Sequence, residues 1–219
     1  MDEVKNANKF VDNLNRLFDL AEEQIIYYIN ENCDNIFYSQ GYEFVMSMGR
    51  EPNRCGFFDS INNIVYTIEE SGAFHKHELI HLINKKFPKA NPILLSGLSI
   101  YTDSPNCLLG KPFIYHVGKV QEIIENNPNI DLSNWWDVKR VDSITEPLYV
   151  TGAILCDIIL EFGGIEFFKD ALQSGYEDQD LLNFFDTKMG LTKKDLNIEM
   201  KKRIYEISEM EKMTFLIKL

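Results

Sequence analysis

No run of apolar residues in this 219-residue chain approaches the roughly 20 that a membrane-crossing helix needs, so no membrane span is expected. Positive charge is also scarce. There are 22 Lys and Arg against 34 Asp and Glu, a formal net charge of −12. Nucleic-acid phosphates select Lys and Arg, so this balance argues against a nucleic-acid partner, and no basic helix is present to lie on anionic lipid. Cysteines are few and scattered. Cys33, Cys55, Cys107 and Cys156 form no Cys-x-x-Cys pair, which excludes a zinc knuckle and favours buried thiols, although one or two disulfides stay open. Residues 1–20 are too polar and acidic for a signal peptide. A soluble protein is expected, and an exported form would need a signal that this sequence lacks, so the compartment stays open. The sequence has no internal repeat and no low-complexity segment.

What remains is a globular composition, 45% hydrophobic and 12% aromatic, with enough length for a sizeable core. Phe10, Leu14, Leu17 and Phe18 recur at helical spacing within residues 5–20, which predicts an amphipathic helix. Residues 24–29, rich in β-branched and aromatic side chains, predict a short buried strand closed by Asn30-Glu31-Asn32. A short helix from Asp34 to Gly41, a strand over Tyr42–Met48, a loop at residues 49–53 and a strand over Asn62–Ile68 follow. From Pro88 the pattern turns helical, over residues 92–102, 111–126, 146–162, 165–174, 178–188 and 193–207, punctuated by Gly, Pro and Asn. The expected class is α+β. A small mixed half with a short sheet, residues 1–87, feeds a mostly helical half, residues 88–219.

At the seam lies His75-Lys76-His77-Glu78-Leu79-Ile80-His81-Leu82-Ile83. On an α-helix, residues four apart project from one face, so His77 and His81 are placed to share a tetrahedral metal ion. Glu78, one position round, suits a general base that takes a proton from an attacking water and passes it to the leaving group. Leu79, Ile80, Leu82 and Ile83 make the helix apolar on its remaining faces. A chance His-Glu-x-x-His would more often sit on a polar surface helix with solvated histidines. The strand at residues 62–68 precedes this helix closely, and its edge is expected beside the metal, able to pair with an extended peptide.

His77-Glu78-x-x-His81, followed by Leu95-Ser96-Gly97-Leu98-Ser99-Ile100-Tyr101 and by Tyr149-Val150-Thr151-Gly152-Ala153, resembles the peptidase MA-like zinc metallohydrolases of the gluzincin group. That family carries Glu-Gly-x-Ala-x-Tyr on the helix after the motif helix and a Tyr-x-x-Gly-Ala helix later, ending in a glycine-rich turn like Gly163-Gly164. The resemblance spans most of the chain, from about residue 25 to the last helices. It implies a zincin-like fold forming one continuous metallopeptidase-like domain, a Zn2+ cofactor, and a peptide or protein substrate cut at its amide bonds. It also implies that His77 and His81 are metal ligands, that Glu78 is the catalytic base and that Tyr149 donates to the oxyanion. For Tyr149 the alternative is a core tyrosine bonded to backbone.

Ser96 stands where the family has the glutamate that completes the zinc shell, and a neutral hydroxyl is a poor zinc ligand. Asp103 and His116 are the candidate substitutes, with His75 behind them. Asp103 lies about two turns beyond Ser96, roughly 10 Å along the helix, unless that helix ends early before Pro105. Each of the three has the alternative of a surface or capping residue. The loss of the glutamate makes a second function possible, a catalytically impaired pseudo-peptidase that keeps the cleft and binds a peptide or protein without cutting it. Gly97 and Gly152 are expected at a close helix approach, and Trp135-Trp136, after a Ser133 cap, in packing.

Overall fold

The computed structural model describes residues 2–32, 56–68, 74–103, 111–140, 142 and 144–209. The helix expected from Asp34 to Gly41 and the strand expected over Tyr42–Met48 lie outside these residues, as do Cys33, Cys55 and Cys107. The protein is mixed α and β and mainly helical, and it divides into two compact units, Met1–Lys86 and Phe87–Lys218.

In the first unit, α1 spans Asp2–Phe18. Ala7, Phe10, Leu14 and Phe18 recur every three or four residues and are all buried, each large side chain contributing roughly 1.5–3 kcal/mol. The helix stops at Asp19, which takes a left-handed φ of 51°, and the Leu20 N–H bonds back to the Asn15 carbonyl at 2.9 Å, closing the end in Schellman fashion. Three strands follow: β1 (Ile26–Asn30), β2 (Gly56–Asp59) and β3 (Ile64–Ile68), in the order β1-β3-β2. β1 runs parallel to β3, with Ile26 opposite Ile64 and Tyr28 opposite Tyr66; β2 runs antiparallel to it, with Phe58 opposite Val65.

Several sequence expectations change here. β1, expected as a buried strand over residues 24–29, starts at Ile26 and is exposed at Ile26, Tyr28 and Ile29. The four-residue strand β2 was not expected, and it forms a hairpin with β3 through a turn in which Asp59 Oδ1 accepts from the Ile61 and Asn62 amides at 2.9 and 3.2 Å and Asn63 takes a φ of 57°. Residues 62–63, assigned to the strand, belong to that turn. The strand over residues 64–68 is therefore the central one, with both edges taken by β1 and β2, and offers no edge to a peptide. Its residues Val65–Ile68 are all buried.

The motif helix is two short pieces, α2 (Lys76–Ile80) and α3 (Leu82–Lys86), joined at His81. The His81 N–H bonds to the Glu78 carbonyl at 3.2 Å and the Asn84 N–H to the His81 carbonyl at 3.0 Å. Both are three-residue bonds, so the chain tightens locally to 3₁₀ geometry rather than running as one regular α-helix.

In the second unit, α4 (Pro92–Thr102) begins at Asn91, whose Oδ1 accepts from the Ile93 amide at 3.0 Å, with Pro92 in the first turn. α5 covers Phe113–Asn126, α6 Pro147–Leu172, α7 Asp178–Met189 and α8 Lys193–Ser208. α6 is interrupted at Gly164, φ 69° and ψ −162°, where the sequence pattern ended one helix at Phe162 and began another at Ile165. α4 lies against α6 with glycine on glycine: a Cβ on Gly97 would run into the Gly152 backbone and lie 2.7 Å from the Ala153 nitrogen. That contact is as close as backbones come.

By length and composition α6 could cross a bilayer, with a mean hydropathy of 1.7 over an 18-residue window, but half of that window is buried inside the protein. Its Asp157 accepts from the Tyr101 hydroxyl at 3.0 Å and lies 3.2 Å from Arg203 on α8, which also pairs with Glu161. Cys156 is a buried free thiol. Trp135 is buried and Trp136 exposed, and both indole N–H groups donate to Asp178. Ser133 caps no helix. The Trp135–Asp137 turn begins at Asn134, and the Ser133 hydroxyl donates to Asp131 at 2.5 Å.

Candidate functional site

The first unit brings three of the four histidines together around α2 and α3. His75 is the residue before α2, with φ −100° and ψ 86°. Its carbonyl starts the helix by accepting from the Leu79 amide at 3.1 Å, while its ring stays out of the helical spiral. The His75 and His77 ring centroids are 6.4 Å apart, and those of His77 and His81 5.4 Å, at 75° between planes. Two imidazoles that share a tetrahedral zinc at the usual Zn–N distance have centroids on the order of 5 Å apart. The His77–His81 separation matches that spacing, and His75 stands further off. Among the described residues no three His, Cys, Asp or Glu side chains are gathered closely enough to hold a metal.

Burial sets the protonation of this cluster. It pushes His77 down to about 3, helped by the neighbouring His81 and His75 imidazoles, and His75 down to about 4, helped by His81. His81 is lowered by burial too, against a hydrogen bond with Asn84 that raises it. All three residues are half-buried, and charging any of these rings would set an imidazolium among apolar side chains and beside another imidazole, so all three are neutral at neutral pH. A neutral ring keeps a lone pair for a metal. Leu79, Ile80, Leu82 and Ile83, at 0–7% exposure, make the apolar surroundings.

Glu78 is buried at 6% exposure and faces the sheet. A Cβ on Gly56 would fall on the His75 ring and 2.7 Å from Glu78 Cγ, so the bare backbone of β2 lets the motif helix lie directly on the strand. The strand beside the motif is thus β2. Asn84 completes the local arrangement: its Nδ2 lies 3.2 Å from His81 Nδ1. Neither Gly56 nor Asn84 was singled out from the sequence. The only signals were a glycine before two phenylalanines and an asparagine three places after the second motif histidine.

The other residues of interest lie in the second unit. Ser96 is half-buried on α4 and its carbonyl accepts from Ser99 Oγ at 2.7 Å. Asp103 closes α4, its N–H bonded to the Ser99 carbonyl at 3.2 Å, and since the helix is continuous from Ser96 to Thr102, Asp103 stays about two turns beyond Ser96. His116 is fully buried on α5, with Nδ1 2.9 Å from Thr145 Oγ1. The Thr145 hydroxyl points to Asp142 Oδ2 at 3.1 Å, which leaves its oxygen to accept from His116 Nδ1–H. Burial would raise the Asp142 carboxyl, but the Thr145 and Ile144 amides bonded to it hold it below the usual range. This chain of bonds ties α5 to the loop before α6. Tyr149 is half-buried in the first turn of α6, its N–H bonded to the Glu146 carbonyl at 3.1 Å.

No family model, no curated protein and no solved structure matches the chain.

Proposed function

We propose that the chain is a zinc-dependent hydrolase of peptide bonds on a zincin-like fold. The observation that carries this reading is the His77–His81 pair, two imidazoles in an apolar setting on α2 and at its joint with α3, with ring centroids 5.4 Å apart, the spacing of a shared ion. A bound zinc ion would polarise the scissile carbonyl and lower the pKa of water. Glu78, next in sequence to His77 and buried against β2, is the general base, taking the proton of the attacking water and passing it to the departing amine. Tyr149 is the proposed oxyanion donor. The candidates for a third ligand are Asp103 and His116, and another carboxylate or histidine or an extra water would otherwise complete the shell. His116 reaches a metal only through Nε2, since its Nδ1 is bonded to Thr145.

A second reading, a peptide-binding protein of the same architecture that does not cleave, is favoured by Ser96 at the position of the family's glutamate. Metal content separates the two. Elemental mass spectrometry of the purified protein is expected to give about one zinc per chain, lost in His77→Ala, and Glu78→Gln is expected to keep the zinc while abolishing cleavage of a peptide mixture. No zinc after incubation with excess metal would sink the hydrolase reading.

A further inference from the structure

The break in the motif helix has a chemical consequence at His81. In an α-helix the side chains of residues i and i+3 are offset around the axis, whereas in 3₁₀ geometry they eclipse. The two successive three-residue bonds, His81 N–H to Glu78 and Asn84 N–H to His81, set the Asn84 amide over the His81 ring, with 3.2 Å between Asn84 Nδ2 and His81 Nδ1. Asn84 Oδ1, at the other end of the same amide, is buried without a hydrogen-bond partner.

A half-turn of the amide about its last torsion exchanges the two atoms and leaves the planar group in place. As drawn, with the amide nitrogen on Nδ1, the ring must carry its proton on Nε2. Turned, Oδ1 accepts from Nδ1–H while Nδ2 takes the enclosed position that Oδ1 held, so the number of partnered amide atoms is the same, and the Nε2 lone pair is exposed. Only the second arrangement lets Nε2 bind a metal. Metal-bound histidines ordinarily donate their other ring N–H to such an acceptor, which fixes the tautomer and makes the ligating nitrogen more basic.

We infer that Asn84 is a positioning residue for the metal, holding His81 as the Nδ1–H tautomer through its Oδ1 so that Nε2 is presented as the ligand. This rests on the zinc reading, which is what selects the second arrangement over the first. The i,i+3 spacing of His81 and Asn84 makes them neighbours on the helix surface, and the three-residue bonds at His81 tighten that spacing.

The test uses the full-length protein. Zinc affinity is measured by competition with a chromophoric chelator for the wild type, Asn84→Leu and Asn84→Asp, and the metal-free proteins are compared by thermal unfolding. Loss of the acceptor in Asn84→Leu is expected to weaken zinc roughly 10–100-fold. Asn84→Asp, whose side chain can only accept, is expected to bind at least as tightly as wild type. Equal affinity in all three overturns the inference, and so does equal weakening in both variants, which would make Asn84 a packing residue. In parallel, 15N-detected NMR of the metal-free wild type reads the His81 tautomer directly and serves if Asn84→Leu does not fold. Nδ1–H is expected, and Nε2–H overturns the proposal. A wild type that shows the Nδ1–H tautomer but takes up no zinc refutes the zinc reading, and with it the role toward a metal.

Discussion

Acid should unfold the first unit before the second, because three half-buried histidines there are held neutral by their apolar surroundings. In the unfolded chain a histidine titrates near 6.5, whereas in the fold burial holds His75 at about 4 and His77 at about 3. Below 6.5 the unfolded state binds protons that the folded state refuses. Stability is therefore complete above about pH 6.5 and declines as pH falls toward the folded values. Around pH 5 the two residues differ from the unfolded chain by nearly two protons, a slope of about 2.7 kcal/mol per pH unit. Integrated from pH 8 to pH 5, each costs about 2 kcal/mol, or about 4 together, and His81 adds in the same direction. That is a large part of the roughly 5–15 kcal/mol that holds a domain together. The lowered carboxyls of the first unit, Glu23 and Asp59, titrate below this window and do not blur it. Hydrogen exchange of peptides covering α2 and α3, measured with chelator at pH 8, 6.5 and 5 and corrected for intrinsic rates, reads the opening free energy locally. Both tryptophans lie beyond residue 86, so their fluorescence follows the second unit as a control. His75→Asn removes one of the two protons and should reduce the slope by about half. Protection that does not fall between pH 8 and pH 5, or a slope unchanged in His75→Asn, would refute the account of the cluster as neutral imidazoles in apolar surroundings.

Two glycines give sharper steric tests. Gly97→Ala puts a Cβ into the Gly152 backbone, where no flexible side chain can give way, and is expected to cost the second unit about 3 kcal/mol or more in denaturant unfolding followed by tryptophan fluorescence; a loss under about 0.5 kcal/mol would show that α4 and α6 do not cross there. Gly56→Ala pushes β2 away from the His75 ring and Glu78, so hydrogen-exchange protection over α2 is expected to fall by at least about tenfold, or roughly 1.4 kcal/mol, with the tryptophan-monitored transition of the second unit unchanged.

Where sequence and structure agree, the information is local. α4 starts and stops where the pattern placed it, at Pro92 and Thr102, because Asn91-Pro92 is a strong start signal and the chain turns before Pro105. α1 was legible from the helical spacing of Phe10, Leu14, Leu17 and Phe18, of which all but Leu17 are buried. β2 was not, because Gly56–Asp59 is four residues long and its strand character comes from pairing with β3 rather than from its own alternation. The turn residues Asn62 and Asn63 carry strand-like neighbours on one side only, which extended the predicted strand into the turn.

The candidate site divides along the same line. Four-residue spacing put His77 and His81 on one face, and the apolar residues between them announced burial, which in turn makes both rings neutral. The sequence also allowed His75 to point anywhere, provided it lay outside the helix. It does lie outside, and its ring stands 6.4 Å from His77, close enough to help depress that ring's pKa. What no spacing rule announced is the 3₁₀ step at His81. An asparagine three places after a histidine carries no signal of its own in the sequence, and its contact with His81 Nδ1 appears only in the structure. Periodicity averages over such single contacts, so the pattern could find the pair of histidines but not the amide that meets one of them.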